Sequence, residues 1–438
     1  MGPLDLTLSW AGITALTVFV LAYCLVILEE FTHLRKSKPM VLAAGLIWAI
    51  VAIQYGLSGE PHVLNEAIRE YLVEFAELFL FLLTAMAYVN SMDERLVFEA
   101  LRVRLVNRKF NKRQLFWVTG FISFFLSALI DNLTTSLVMS GVILAVGKGD
   151  KRFIAISCVN IVVAANAGGA FSPFGDITTL MVWQSGQVQF EQFFALFLPS
   201  AVNYLVPALF MSFAVKSEPL GGNMETVRMK LGARRIMALF ALTITLAVSF
   251  HNLLHMPPFL GMVTGLACLQ LFGYFIRQRE NDYIRKYARH MTGDIMPYDS
   301  FHEIARAEWD TLLFFFGVIM SVGGLSFIGY LGHVSGYMYI ELGPTVANVL
   351  VGVMSAIVDN IPVMVAVLHM EPQMDLRQWL LVTLTAGVGG SLLSVGSAAG
   401  VALMGQARGN YSFFSHLKWT PIIAIGYIAS IWAHLLIN

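Results

Sequence analysis

The stretch Ser127-Ala128-Leu129-Ile130-Asp131-Asn132-Leu133 returns late in the chain as Ser355-Ala356-Ile357-Val358-Asp359-Asn360-Ile361. Ser, Ala, Asp and Asn are identical, and the other positions exchange only Leu for Ile or Ile for Val. Each copy lies inside a long hydrophobic stretch, 115–147 and 345–370, and each is followed by a second one, 153–183 and 379–406, broken by glycines. Gly168-Gly169 and Gly175 recur there as Gly389-Gly390 and Gly396, and the run after Glu74 resembles the run after Glu308. Order and spacing therefore repeat together, so each half of the chain reads as one copy of a single unit.

Composition sets the solvent. The 438 residues are 57% hydrophobic and 13% charged, with mean hydropathy +0.70; a soluble protein of this size carries about twice that charge. Ordinary spans, long enough to cross about 30 Å of hydrocarbon, are expected near 8–28, 40–57, 71–90, 193–215, 236–253, 259–276, 309–331 and 419–437. The run Leu8–Leu28 has no basic region before it and no small-residue cleavage pattern after it, so it is expected to be a retained helix. With 28 basic and 28 acidic residues, there is no polybasic surface for nucleic acid. Cys24, Cys158 and Cys268 sit in apolar runs without metal-ligand spacing and read as packing residues.

All but Arg69 and Arg377 of the 28 basic residues fall in six segments: 29–39, 92–114, 148–152, 216–235, 276–308 and 405–418. Short cytoplasmic loops are enriched in Lys and Arg, and these segments can share the cytoplasmic side only if 115–147 enters and leaves there as a re-entrant hairpin. Arms of about 16 and 12 residues agree with that, being shorter than the roughly 17 to 25 of a spanning helix. By the same logic 345–370 dips in from the opposite side. The expected fold is thus an all-α polytopic membrane protein of two inverted-topology repeats, each with a re-entrant hairpin and a discontinuous helix, both chain ends outside. The parts are 1–114, scaffold helices of the first half; 115–215, its transport elements; 216–331, scaffold helices of the second half; and 332–438, its transport elements. The charged segment 277–306 is expected to lie as a helix on the cytoplasmic surface. Inverted halves with broken helices near the midplane are the architecture of secondary transporters.

Asp131, Asp176 and Asp359 carry the chemistry. An ionised Asp near the bilayer centre costs about 2.5 to 3.5 kcal/mol on insertion scales, and no basic residue occurs within the four irregular stretches. Around them stand Ser127, Asn132, Thr134, Thr135, Asn166, Ser172, Thr178 and Thr179 in the first half, with Ser355, Asn360, Ser391, Ser394 and Ser397 in the second. Carboxylate, amide, hydroxyl and freed carbonyl oxygens suit a small hard cation, whereas His or Cys clusters suited to transition metals are missing. Asp176 has no acidic counterpart, Ser397 and Ala398 standing in that region. The first half, with Asp131, Asn132, Asn166, Asp176 and Thr178, is therefore expected to hold the stronger Na⁺ or Li⁺ site. Because cation binding needs the deprotonated carboxylate, Na⁺ and H⁺ compete there and their fluxes couple. The glycines read either as close-packing surfaces or as unwound backbone that coordinates; their matched placement in both halves favours coordination. The expected activity is cation/proton antiport, not enzyme catalysis, with no cofactor.

The segments SALIDNLTTSLV (127–138), NAGGAFSPFGDITTLMVW (166–183), SAIVDNIPV (355–363) and GVGGSLLSVGSAAGVALMG (387–405) resemble NhaD-type sodium/proton antiporters of the ion transporter superfamily. The resemblance runs over nearly the whole chain. It implies a bacterial inner-membrane exchanger of Na⁺ or Li⁺ for H⁺, with binding roles at Ser127, Asp131, Asn132, Asn166, Asp176, Thr178, Thr179, Ser355, Asp359, Asn360, Ser394 and Ser397. It also implies a homodimer whose hairpins and broken helices move as an elevator against the early helices of each half.

Weaker signals and rival readings remain. His33, His290, His302 and His416 read as cytoplasmic, and His62, His251, His255, His333 and His369 as lying near the outer ends, so a solvated surface role is expected for most. Glu74, Glu77, Glu308 and Asp310 read as interfacial charges. A sodium-coupled carrier of carboxylates or oxyanions needs cationic or N-terminal helix groups to receive its substrate, and three acids without Arg or Lys repel one. An intramembrane aspartyl protease with Asp131 and Asp176 as its dyad lacks the expected flanks: Ile130 replaces a Tyr, and Pro173 breaks the Gly-x-Gly-Asp spacing.

Overall fold

A computed structural model describes residues 5–58, 61–147, 149–219, 224–287 and 297–438. Lys148 and part of the segment 277–306, including His290, lie outside them, as does the side chain of His62. Each expected ordinary span is helical, and among the described residues ten helices are long and apolar enough to cross a membrane. The protein is an all-helical polytopic membrane protein.

The helices are α1 (Trp10–Ile27), α2 (Glu29–Thr32), α3 (Ser37–Ser58), α4 (Pro61–Glu94), α5 (Val97–Val106), α6 (Lys112–Ile130), α7 (Asn132–Val146), α8 (Lys151–Gly169) and α9 (Ile177–Gln184). After a 3-10 turn at Phe190–Leu196 follow α10 (Phe197–Ala214), α11 (Ala233–Leu254), α12 (Pro258–Tyr287), α13 (Ser300–Ala305), α14 (Trp309–Phe327) and α15 (Tyr330–Ser335). The remainder are α16 (Pro344–Val358), α17 (Asn360–His369), α18 (Leu376–Gly389), α19 (Ala398–Gln406), α20 (Phe413–Leu417) and α21 (Thr420–Ile437). The chain divides into two compact units, one of residues 1–72, 105–223 and 310–438, the other of 73–104 and 224–309.

In the first unit, each irregular hydrophobic stretch becomes two helices: those of 153–183 and 379–406 are separated by the non-helical segments 170–176 and 390–397, and those of the other two meet at one polar residue. The stretch 115–147 is α6 and α7 joined at Asp131, and 345–370 is α16 and α17 joined at Asp359. Local sequence explains the starts. Asn111 and Gln114 form a capping box on α6, Asp150 accepts the amide of Phe153 to start α8, and Asp375 accepts that of Gln378 to start α18, each supplying an acceptor to an orphan amide. The arms of the first hairpin are 19 and 15 residues long, longer than expected. At 1.5 Å per residue the first measures about 28 Å, so its length does not separate a dipping arm from a spanning one; the basic residues at both ends of the hairpin carry that distinction.

The almost wholly buried α8 is the hub of this unit and packs against α6, α7, α10, α18 and α19. At the start of α6 the Lys112 Nζ pairs with Asp150 Oδ2 at 2.7 Å and Glu218 Oε2 at 2.5 Å. That ammonium holds the Asp150 carboxyl below the usual range, helped by the Phe153 amide.

The second unit contains α5, α11, α12, α13 and the later part of α4, with α11 packed along α12. Of the segment 277–306, the first residues continue α12 to Tyr287, and Ser300–Ala305 forms α13. The Arg95 side chain, 1% exposed, pairs with Glu94 and with Glu280 at 2.5 Å, and its guanidinium lies 4.8 Å from the Tyr298 ring centroid. A residue that reads as a loop charge is thus the unit's buried anchor, because three partners offset its desolvation. Of the cysteines, Cys158 is buried as expected but Cys24 is exposed.

Candidate functional site

Asp131 and Asp359 occupy the two junctions with φ 124°, ψ 159° and φ 78°, ψ 146°. This backbone region is essentially reserved for glycine and costs about 1 to 3 kcal/mol. The same residue type is held in it at both tips. In each case the carboxylate caps the following helix: Asp131 Oδ1 accepts the Thr134 amide at 2.7 Å, and Asp359 Oδ1 the Asn360 amide at 2.8 Å.

The broken helices match as closely. Asp176 opens α9 with φ −148°, ψ 150° and accepts the Thr178 amide, while Ser397 opens α19 with φ −145°, ψ 146° and accepts the Gly400 amide. Ser127 Oγ donates to the Ala165 carbonyl at 2.6 Å and Ser355 Oγ to that of Ala386 at 2.8 Å, fastening each hairpin to the helix behind it. A Cβ on Gly168 would collide with the Phe124 carbonyl, and one on Gly389 with that of Gly352. Close packing, the reading ranked second from sequence, is thus a role these two glycines fill.

Asp176 is where the copies meet. The carboxylate is 6% exposed, and its Oδ1 accepts the Thr178 amide at 3.1 Å, the Thr178 hydroxyl at 3.2 Å and Asn360 Nδ2 at 3.1 Å. Oδ2 accepts Asn132 Nδ2 at 3.0 Å and Asn360 Nδ2 at 2.9 Å. The network continues, for Asn132 Nδ2 also donates to Asn166 Oδ1 at 3.1 Å, and Asn166 Nδ2 to Ser391 Oγ at 2.9 Å. Turning any of these amides about its last torsion would present an oxygen in place of the NH₂ group.

Of the expected site residues, the structure therefore brings Asn132, Asn166, Asp176, Thr178 and Asn360 into one hydrogen-bonded set. Ser127 and Ser355 fasten the hairpins, and Thr179 Oγ1 ties the break by donating to the carbonyls of Ser172 and Asp176 at 2.8 and 2.6 Å. Ser397 caps α19, and Ser394 Oγ lies 3.4 Å from Met404 Sδ. Among the described residues no group of three or more His, Cys, Asp or Glu is placed to hold a metal together, so the acids form no single cage.

Two expectations need correction. Asp359 is not left without a base, because Lys36 Nζ, from the loop before α3, lies 3.3 Å from its Oδ2. The contact is tertiary, so its absence from the surrounding stretch said nothing. His416 is also not a solvated loop residue. It is fully buried, with Nδ1 2.7 Å from Tyr411 Oη and Nε2 2.8 Å from the Ser391 carbonyl, and burial pushes it down to about 4. It therefore stays neutral across the range in which an ordinary histidine senses pH. Asp310, read as interfacial, accepts the Ser37 hydroxyl. Sequence reasoning passed over Lys36 and His416, since each gains its role through chain segments distant from it.

Interrupted membrane helices that bring one buried carboxylate to the tips of two duplicated hairpins define a secondary ion transporter. A family model described as a citrate transporter matches residues 8–387. The Na(+)/H(+) antiporter NhaD of Alkalimonas amylolytica is 56% identical over 450 residues, covering 100% of this chain and 92% of that protein. That of Vibrio cholerae is 56% identical over 446 residues, covering 99% and 94%, and sodium/proton antiporter 2 of Arabidopsis thaliana is 30% identical over 438 residues, covering 96% and 98%. The two descriptions name different cargo. The relatives decide between them, since they align along essentially the whole chain, whereas the family model ends before the second break. The chain belongs to the NhaD family of Na⁺/H⁺ antiporters.

Proposed function

We propose that this protein exchanges Na⁺ or Li⁺ for H⁺ by alternating access, with Asp176 as the carboxylate for which the two cargoes compete. The observation that carries this is the neutrality of its surroundings. Every hydrogen-bond donor to the buried Asp176 is an amide or hydroxyl, and among the described residues no Lys, Arg or His pairs with it. A buried carboxylate is most stable with a compensating positive charge. A proton or a small hard cation supplies it, and binding the cation requires the proton to leave. Oxygens of Thr178, Asn132, Asn360 and Asn166 suit Na⁺ or Li⁺, and the asparagines reach them by the amide turn described above. An anionic carboxylate substrate would find at Asp176 only a like charge, and Lys36 is already held by Asp359.

In proteoliposomes acidified inside, added Na⁺ or Li⁺ should collapse the pH gradient, and Asp176→Asn should weaken cation binding more severely than any other single change. Wild-type half-saturation in folded Asp176→Asn would refute the site, and sodium-driven citrate or succinate uptake without proton movement would favour the carboxylate carrier. Asp131→Ala and Asp359→Ala should abolish exchange in folded protein.

The finer arrangement is part of the same reading: inverted copies, re-entrant hairpins, periplasmic termini, a bacterial inner-membrane location and a homodimer in which hairpins and broken helices move as an elevator. The distribution of basic residues supports the inversion, the re-entrant hairpins and the periplasmic termini, and the resemblance to the family supports the location, the homodimer and the elevator. Cysteine labelling at positions 132 and 360 tests it; permanent access to both from one compartment would sink alternating access.

A further inference from the structure

A base stands against the carboxylate of the second hairpin tip. Lys36 Nζ stands 3.3 Å from Asp359 Oδ2, with side-chain exposures of 19% and 15%, and lies 4.5 Å from the Phe314 ring centroid. The placement is built. Tyr23 on α1 donates its hydroxyl to the carbonyl of Val358, the residue before Asp359, so α1 and the loop after α2 both hold the second tip. The loop itself turns through His33 at φ 55°, and Ser37, the first residue of α3, is held by Asp310. Phe314 and Asp310 both lie on α14, so one helix fixes the base at its ring and the start of α3 at its carboxylate.

We infer that Lys36 is a tethered surrogate cation, occupying the Asp359 carboxylate and giving way to the transported ion. An ammonium against a carboxylate supplies the same single positive charge as Na⁺, and a flexible four-carbon stem lets it withdraw without moving the backbone. The π face of Phe314 offers the displaced ammonium a resting place, because a cation over an aromatic ring is stabilised even partly desolvated. The first hairpin, whose Asp131 carboxylate caps α7 through the Thr134 amide, supplies the stronger cation-binding half with Asp176. Lys36 thus sets how readily the second carboxylate accepts cargo and keeps the cation-free protein from holding a bare charge there.

This inference rests on the reading of Asp359 as part of the cation path, and the controls separate the two. In proteoliposomes the Na⁺ concentration giving half-maximal exchange should fall about fivefold in Lys36→Gln, the competition a partly buried ion pair of this kind exerts. Lys36→Arg, which can grip the carboxylate with two N–H groups, should not lower it. In the unaltered protein, Na⁺ in place of choline should increase acylation of Lys36 by an amine-reactive reagent, read by peptide mass spectrometry, and this arm holds even if Lys36→Gln fails to fold. An unchanged or raised half-saturation in folded Lys36→Gln, or acylation indifferent to Na⁺, overturns the surrogate role. If Asp359→Asn retains full exchange, the reading of Asp359 itself has failed instead.

Discussion

Replacing Asn360 by Ala removes the hydrogen bonds that join the second hairpin tip to Asp176 among the described residues. Its Nδ2 reaches both carboxylate oxygens, at 3.1 and 2.9 Å, and the residue is 4% exposed. A hydrogen bond to a charged group contributes about 1.5 to 3 kcal/mol. The two here share one nitrogen, so the pair is worth nearer one such bond than two. A loss of about 1.5 to 3 kcal/mol corresponds to about ten- to a hundredfold in affinity, provided the cation is held by the same amide through its oxygen. Na⁺-induced dissipation of a pH gradient in proteoliposomes gives the half-saturation, and thermal unfolding in detergent gives the stability. Both should be measured for Asn360→Ala, Asp176→Asn and the double variant. Coupling is expected, because the second change has little left to remove once the first is made. Strictly additive effects, or a half-saturation for Asn360→Ala within about twofold of wild type, would refute the idea that the two hairpins meet energetically at Asp176.

Asp131→Gly should relieve about 1 to 3 kcal/mol of backbone strain while giving up a cap worth about 1 kcal/mol. Its unfolding midpoint should hold or rise as exchange is lost; a midpoint several degrees lower would count against the strain. His416 is lowered in the folded protein to about 4 from an unfolded value near 6.5. The unfolded chain therefore binds more protons between those values, and stability is lost as pH falls from about 6.5 towards 4. His416→Gln should flatten that part of the stability curve in melts at pH 7 and pH 5, without shifting the pH dependence of exchange above neutrality. Arg95→Met should lower the stability of the second unit by about 2 to 3 kcal/mol, less than a wholly buried pair because Glu94 and Glu280 are partly exposed. The Na⁺ half-saturation should stay at its wild-type value, which titration of exchange in the same vesicles would check.

Much of the fold was legible because the membrane leaves few solutions: backbone in hydrocarbon must be helix or closed barrel, and each ordinary apolar run became helix, although α4 already starts at Pro61 and α12 runs on to Tyr287. The interruptions were legible for the same reason, since Asp131 and Asp359 inside such runs cannot be ordinary span residues. Near-neighbour chemistry was readable too; Asp176 and Thr178 are two residues apart and bond directly. What sequence could not show was which distant segments close on which. Asn360 on Asp176, Lys36 on Asp359 and His416 beneath Ser391 are contacts across hundreds or tens of residues, and no local pattern announces them. Nor could charge counting foresee Arg95, whose burial depends on Glu280 and Tyr298 arriving from far along the chain.

Asp176 and Ser397 occupy matching places, and that has an evolutionary corollary. A gene doubled in tandem begins with the same residue at both. Joining two first copies would give two acids drawing on one pair of asparagines, and joining two second copies would give none. The two copies are therefore no longer interchangeable parts, for neither doubling would rebuild the single carboxylate that Asn132 and Asn360 now share.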